Sequence, residues 1–122
     1  MRTGDSFDPG CGARLVLDRI GDKWSVLVVL TLIDGPRRFT VLRDTIGGIT
    51  PKVLTQTLRS LERDGLVTRE VFAEVPPRVE YALTPLGHSL RGPVEAVNAW
   101  AEEHVDEVMK AREQHDTTAG GR

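Results

Sequence analysis

Thr50–Leu66 reads TPKVLTQTLRSLERDGL, and the rest of the chain is organised around this stretch. Leu54, Leu58 and Leu61 recur at steps of four and three, which places them on one stripe of a helix facing a core. Lys52, Gln56, Arg59 and Arg63 recur at steps of four, three and four, two residues out of phase with the leucines, and point roughly the opposite way. Thr50 suits the N-cap and Pro51 the first helical position. Gly65 stands where a helix closes on a left-handed residue. Such a helix can lie in a DNA major groove, about 12 Å wide, and offer long cationic and hydrogen-bonding side chains to base edges and phosphates. Taken alone, the same row also suits an ordinary solvated helix face, so the flanking sequence has to decide.

The chain has 122 residues, enough for one domain with one core. Its 39% hydrophobic and 28% charged residues are ordinary for an ordered globular protein. No apolar run approaches the ~18 residues of a membrane span, and MRTGDSFDPGCG at the N-terminus lacks the apolar segment of a signal peptide. The expected location is the cytoplasm. One cysteine cannot form an internal disulfide, in keeping with a reducing compartment. The net charge of −2 argues mildly against a nucleic-acid partner, but its distribution reverses the argument. Residues 37–78 hold eight Arg and Lys against five Asp and Glu, whereas residues 79–122 hold four against eight. The positive charge is gathered around the exposed helix, and a local basic patch is the relevant footprint.

Upstream, residues 1–10 read as a flexible arm. A short helix is expected from about Ala13 to Ile20, broken by Gly21. Asp22 is placed to cap a second helix, Lys23 to Ile33, apolar over most of its surface and therefore central. Its β-branched run VLVV could also form a strand; the length of the apolar run favours helix. Asp34-Gly35-Pro36 is a turn, and Arg37-Arg38-Phe39 a short strand or extended link. Thr40 then suits the cap of a helix from Val41 to Ile46, and Gly47-Gly48 leads into the exposed helix. Two short helices joined by a tight glycine-containing turn, the second with the polar face, form the helix-turn-helix pattern.

Downstream, Leu66–Phe72 and Val79–Leu83 read as the strands of a hairpin. A hairpin directly after such a helix is a wing, and Arg78, beyond Pro76-Pro77, is placed to reach the DNA backbone or a narrow minor groove; a solvated loop arginine is the alternative. Thr84-Pro85 starts a last helix. Leu86, Leu90, Val94, Val97, Ala101, Val105 and Val108 form a nearly heptad seam with Trp100 beside it, and Pro93 predicts a kink near its middle. A domain this small cannot bury so long a seam, so its outer half is expected to pack on a second copy. Residues 114–122 have nothing to bury and are expected to be disordered.

Cys11 precedes a helix and has Arg14 three residues on; amide dipoles and a nearby cation both suit a reactive thiol. Without a second cysteine, oxidation leads to a sulfenic acid, a mixed adduct, or a Cys11–Cys11 bond across a dimer. An unreactive small residue at a dimer interface is the alternative. His88, His104 and His115 lack a metal-binding spacing, and no phosphate loop or nucleophile–base grouping is visible. The expectation is a protein without metal, cofactor or catalytic site.

Cys11, RLVLDRIGDKW (Arg14 to Trp24), DGPRRF (Asp34 to Phe39), ITPKVLTQTLRSLERDGLVTR (Ile49 to Arg69) and EVPPRVEYALTPLG (Glu74 to Gly87) resemble the HxlR-type transcriptional regulators of bacteria, from about Cys11 to Trp100. The resemblance implies a homodimeric winged-helix regulator, related to the MarR group, that binds pseudo-palindromic operators. It implies dimerisation through the N- and C-terminal helices and, in several members, sensing of electrophiles or disulfide stress by a cysteine at the position of Cys11. Gly12 stands where the usual pattern has proline.

These readings combine into a mainly α fold with a small β-hairpin wing: a winged helix-turn-helix over residues 11–113 with a long C-terminal dimerisation helix. The expected function is sequence-specific recognition of double-stranded DNA. Lys52, Thr55, Gln56 and Arg59 are the candidates for major-groove contact, Arg63 and Arg38 for the backbone, Arg78 for the wing contact, and Cys11 for sensing a small-molecule or electrophile effector. The competing reading is a winged-helix protein-interaction module without DNA binding.

Overall fold

The structure, a computed structural model, describes residues 4–120; residues 1–3 of the expected arm and 121–122 of the expected tail lie outside it. Its elements run α1 (Gly12–Gly21), α2 (Lys23–Leu32), α3 (Phe39–Thr45), α4 (Pro51–Arg63), β1 (Val67–Phe72), β2 (Arg78–Leu83), α5 (Pro85–His88) and α6 (Arg91–Gly120). Of the described residues, those up to Arg91 form one compact unit and those from Gly92 on a second, described separately below.

The VLVV run is helical, within α2. In α2, Val28, Val29 and Leu32 are fully buried, and every residue after Lys23 is at least half-buried. It packs against α1, α3, α4 and β2, as a helix apolar all round must. Asp22 occupies its N-cap, but the carboxylate accepts from the Ser25 hydroxyl at 3.2 Å rather than from a backbone amide. That bond lets Ser25 be buried without an orphaned hydroxyl. Leu42, Ile46 and Ile49 carry the core through α3 and the Gly47-Gly48 turn. The cap of α3 differs from expectation: Arg38 holds the N-cap position, and Thr40 lies inside the helix.

α4 begins and ends as its sequence dictates. The Thr50 hydroxyl accepts from Val53 N–H at 3.2 Å, Pro51 opens the helix, and Gly65 follows the Asp64 C-cap with φ +76°, a left-handed conformation that costs glycine nothing. Leu54, Leu58 and Leu61 are at most 1% exposed. Burying each is worth about 1.5–3 kcal/mol, several times any helix-propensity difference, so the stripe fixes which face turns outward. Thr57 is buried with them because its hydroxyl donates to Val53 O at 2.8 Å.

β1 and β2 pair antiparallel from Val67↔Leu83 to Phe72↔Arg78. Arg37 adds a one-residue third strand, exchanging both backbone hydrogen bonds with Tyr81 at 2.9 and 2.8 Å. The extended link before α3 thus ties the wing to the helix-turn-helix. Together these elements make a winged helix-turn-helix.

The last helix departs from expectation in two ways. It is not one kinked rod: α5 stops at His88, Ser89-Leu90 form a turn, and α6 starts at Arg91. Proline has no N–H to give the carbonyl four residues back, and its ring crowds that carbonyl, so Pro93 acts at Ser89 rather than at its own position. The second difference is length, because α6 continues through 114–120, where a disordered tail was expected. Extending an existing helix avoids the cost of nucleation, and the Thr117 and Thr118 hydroxyls donate to Glu113 O and Gln114 O at 2.9 and 3.0 Å. Along α6, Val97, Trp100, Val105, Val108 and Met109 are all exposed.

Candidate nucleic-acid interface

The stripe that buries the leucines of α4 leaves Lys52, Gln56, Arg59 and Arg63 exposed along its outer face. From Lys52 to Arg63 the row spans about 16 Å at the helical rise, close to five base-pair steps. Among the described residues, none of Lys52, Arg59 and Arg63 has a carboxylate partner. Surface cations in a protein of net negative charge readily find counter-charges, so three unneutralised ones on one helix face are a specific feature. Thr55 is half-buried at the edge of this face. Arg38 is exposed at the N-cap of α3.

One cation escaped the reading of the sequence. Arg69 is exposed on β1, opposite Tyr81. With Thr55, Arg59, Glu62 and Tyr81 it lines a cleft of about 380 Å³ between α4 and the hairpin. The signal was available: a strand that leaves a helix through a tight glycine turn runs back beside it, and its first exposed cation adds to the helix face.

Arg78 is less free than either reading of the sequence suggested: its side chain is 30% exposed and already ion-paired. It is the first residue of β2, paired with Phe72, while residues 73–77 make the tip. Its guanidinium meets Glu74 at 3.1 Å and Glu80 at 3.4 Å and lies over the Phe72 ring at 4.0 Å. Its Nε is buried without a hydrogen-bond partner among the described residues. The register forces this arrangement, because Glu70 and Glu80 stand directly opposite one another and Arg78 neutralises that acidic side of the wing.

Cys11 is the N-cap of α1 and only 3% exposed; its sulfur accepts from Ala13 N–H at 3.3 Å. The helix-start position read from the sequence is therefore correct, while the burial was not foreseen. Arg14 is exposed on the same helix. Among the described residues no group of three His, Cys, Asp or Glu side chains could hold a metal, and no helix is long and apolar enough to cross a membrane.

A tri-helical core, a helix-turn-helix with an unneutralised cationic second helix, and a hairpin wing define a winged-helix DNA-binding regulator. The family model described as HxlR-like helix-turn-helix matches residues 19–109, and the chain belongs to this family of transcriptional regulators. It is 40% identical over 114 residues to YtfH of Escherichia coli (strain K12), named an uncharacterized HTH-type transcriptional regulator, covering 93% of this chain and 90% of YtfH. Among solved structures it is similar to the transcriptional regulator named ytfH from Salmonella typhimurium, with 40% identity, a TM-score of 0.82, and 89% and 97% of the two chains covered. It is also similar to the redox regulator HypR in its reduced form, with 40% identity, a TM-score of 0.74, and 81% and 98% covered.

Proposed function

We propose that this chain is a homodimeric, sequence-specific DNA-binding regulator whose α4 reads the major groove. The observation that carries the reading is the exposed row Lys52, Gln56, Arg59 and Arg63, whose three cations form no ion pair with a carboxylate among the described residues. Lys52, Thr55, Gln56 and Arg59 contact base edges, while Arg63 and Arg38 contact phosphates. Arg69, in the cleft beside Arg59, joins the phosphate contacts. Arg78 serves as a wing contact only by exchanging Glu74 and Glu80 for a phosphate, so the main weight rests on α4.

Homodimerisation uses the terminal helices. Support comes from the exposed apolar side chains on both, Leu15, Val16 and Leu17 on α1 and Val97, Trp100, Val105 and Val108 on α6. A single chain leaves these about half-exposed, where each large side chain forgoes on the order of 1 kcal/mol of burial. Two-fold symmetry then places the half-sites ~10–10.5 bp apart, centre to centre, or a multiple of that spacing.

Cys11 is the switch in this reading. A thiol that caps α1 while buried cannot carry an adduct without displacing the helix start, and α1 holds no buried side chain to resist displacement. The similarity to a redox regulator agrees with such a role. The test is fluorescence anisotropy on a duplex from the chain's own upstream intergenic region against a scrambled duplex, across salt concentrations, with and without a thiol-reactive electrophile. Sequence-dependent binding with a steep salt slope is expected, lost on electrophile treatment. Weak binding that is identical on both duplexes, repeated in a genome-wide fragment selection, would favour a protein-interaction module.

A further inference from the structure

The C-terminal end of α4 is where the winged domain fastens its reading helix. Gly65 O accepts from the Thr84 hydroxyl at 2.6 Å, and Leu66 O accepts from Thr84 N–H at 3.0 Å. Asp64, the C-cap, accepts from Arg19 Nε of α1 at 2.8 Å, across 45 residues of sequence. The Arg19 and Asp64 side chains are 34% and 25% exposed. Dry support for α1 is thin at this point, although the helix packs on α2. It contributes no buried side chain, and an apolar cavity of about 320 Å³ separates Leu15 and Val16 from Leu86 and Leu90, with Arg19 and Asp64 on its lining. A charged hydrogen bond is directional in a way that apolar contact across a cavity is not.

We propose that Arg19 is a positioning residue for DNA reading: through Asp64 it fixes the orientation of α4 and makes α1 the arm to which that orientation answers. This rests on the DNA-binding reading above. The lever is long. Lys52 lies about 18 Å up the helix from Asp64, so a tilt of about 5° at the cap moves its Cα by about 1.6 Å. Hydrogen bonds to base edges do not survive such a shift, whereas phosphate contacts by long flexible side chains do. An ion pair this exposed adds little to folding stability. Its loss is therefore read in specificity rather than in unfolding.

Arg19→Met, Asp64→Asn and the swap Arg19→Asp/Asp64→Arg distinguish this from simple electrostatics. Asp64→Asn removes a negative charge, which by itself strengthens binding to DNA. The proposal expects the opposite: affinity for the upstream duplex falls about fivefold, equivalent to ~1 kcal/mol, in both single variants. The Asp64→Asn protein does not lose affinity for the scrambled duplex, thermal unfolding stays close to wild type, and the swap recovers most of the loss. Upstream-duplex binding by Asp64→Asn as tight as wild type or tighter, or a swap as weak as the singles, overturns it. A wild-type protein that fails to discriminate the duplexes would refute the DNA reading instead. The tether is then tested by hydrogen exchange at the amides of Asp64, Gly65 and Leu66, which Arg19→Met is expected to accelerate; unchanged exchange there refutes the tether as well.

Discussion

Gly87→Ala is the sharpest structural prediction. Gly87 sits in the short α5 turn, pressed onto the junction of α4 and β1. A Cβ built there lies 2.1 Å from Leu66 O, 3.1 Å from Leu66 C and 3.1 Å from Leu83 Cδ2. A carbon normally stays more than 3 Å from a carbonyl oxygen, so about 1 Å of backbone must give way. No side-chain rotation relieves the clash, because the obstructing atom is main chain. Leu66 O is also the acceptor for Thr84 N–H, and Gly87 N–H donates to the Thr84 hydroxyl at 3.0 Å, so the displacement strains the bonds that hold the turn. Overpacking costs about 1–3 kcal/mol and one weakened backbone hydrogen bond about 1 kcal/mol. The variant should lose about 2–4 kcal/mol, which for a domain of this size lowers Tm by roughly 10 °C. Circular dichroism during heating and urea unfolding measures it. Gly21→Ala is the control: nothing lies within 4 Å of its Cβ, and in the last turn of α1 alanine should be neutral or stabilising by up to ~1 kcal/mol. A Gly87→Ala midpoint within about 1 °C of wild type would refute the argument.

Thr50→Ala removes the hydroxyl that accepts from Val53 N–H and should cost about 1 kcal/mol in urea unfolding, with the N-terminal amides of α4 exchanging faster. Val105→Glu with Val108→Glu places two charges on the exposed apolar side of α6; equilibrium sedimentation should show a dimer for wild type and a monomer for the variant, with circular dichroism confirming that the fold is kept. Iodoacetamide should label Cys11 at least about tenfold more slowly in the folded chain than in urea, the protection given by ~1.4 kcal/mol of local opening. Equal rates would mean that the sulfur is not held at the cap of α1.

Features set by local pattern were legible in the sequence. The leucine stripe, Thr50-Pro51 and Gly65 define α4 within a residue at each end, because each signal acts within one helical turn. The hairpin follows equally from alternation, and Thr84-Pro85 from capping. What escaped depends on partners distant in sequence or on effects displaced from their cause. Pro93 breaks the last helix four residues upstream of itself, at Ser89. The surroundings of Arg78 follow from a register that pairs it with Phe72 and sets Glu70 against Glu80, which alternation alone does not fix. Arg69 comes beside Arg59 only once the strand is laid along α4. The Arg19–Asp64 contact spans 45 residues and leaves no periodic trace. The burial of Cys11 likewise has no periodic signal in the sequence around it.

Whether α4 reads base pairs with its exposed row is decided by a base-by-base substitution series of the bound duplex against Arg59→Ala and Arg63→Ala. Arg59→Ala should cost ~1–3 kcal/mol on the native site and lose discrimination at one base-pair position in each half-site. Arg63→Ala should weaken binding uniformly across the series and lower the salt slope by about one. If both variants keep wild-type affinity and discrimination at every position, α4 does not read the DNA and the account is contradicted.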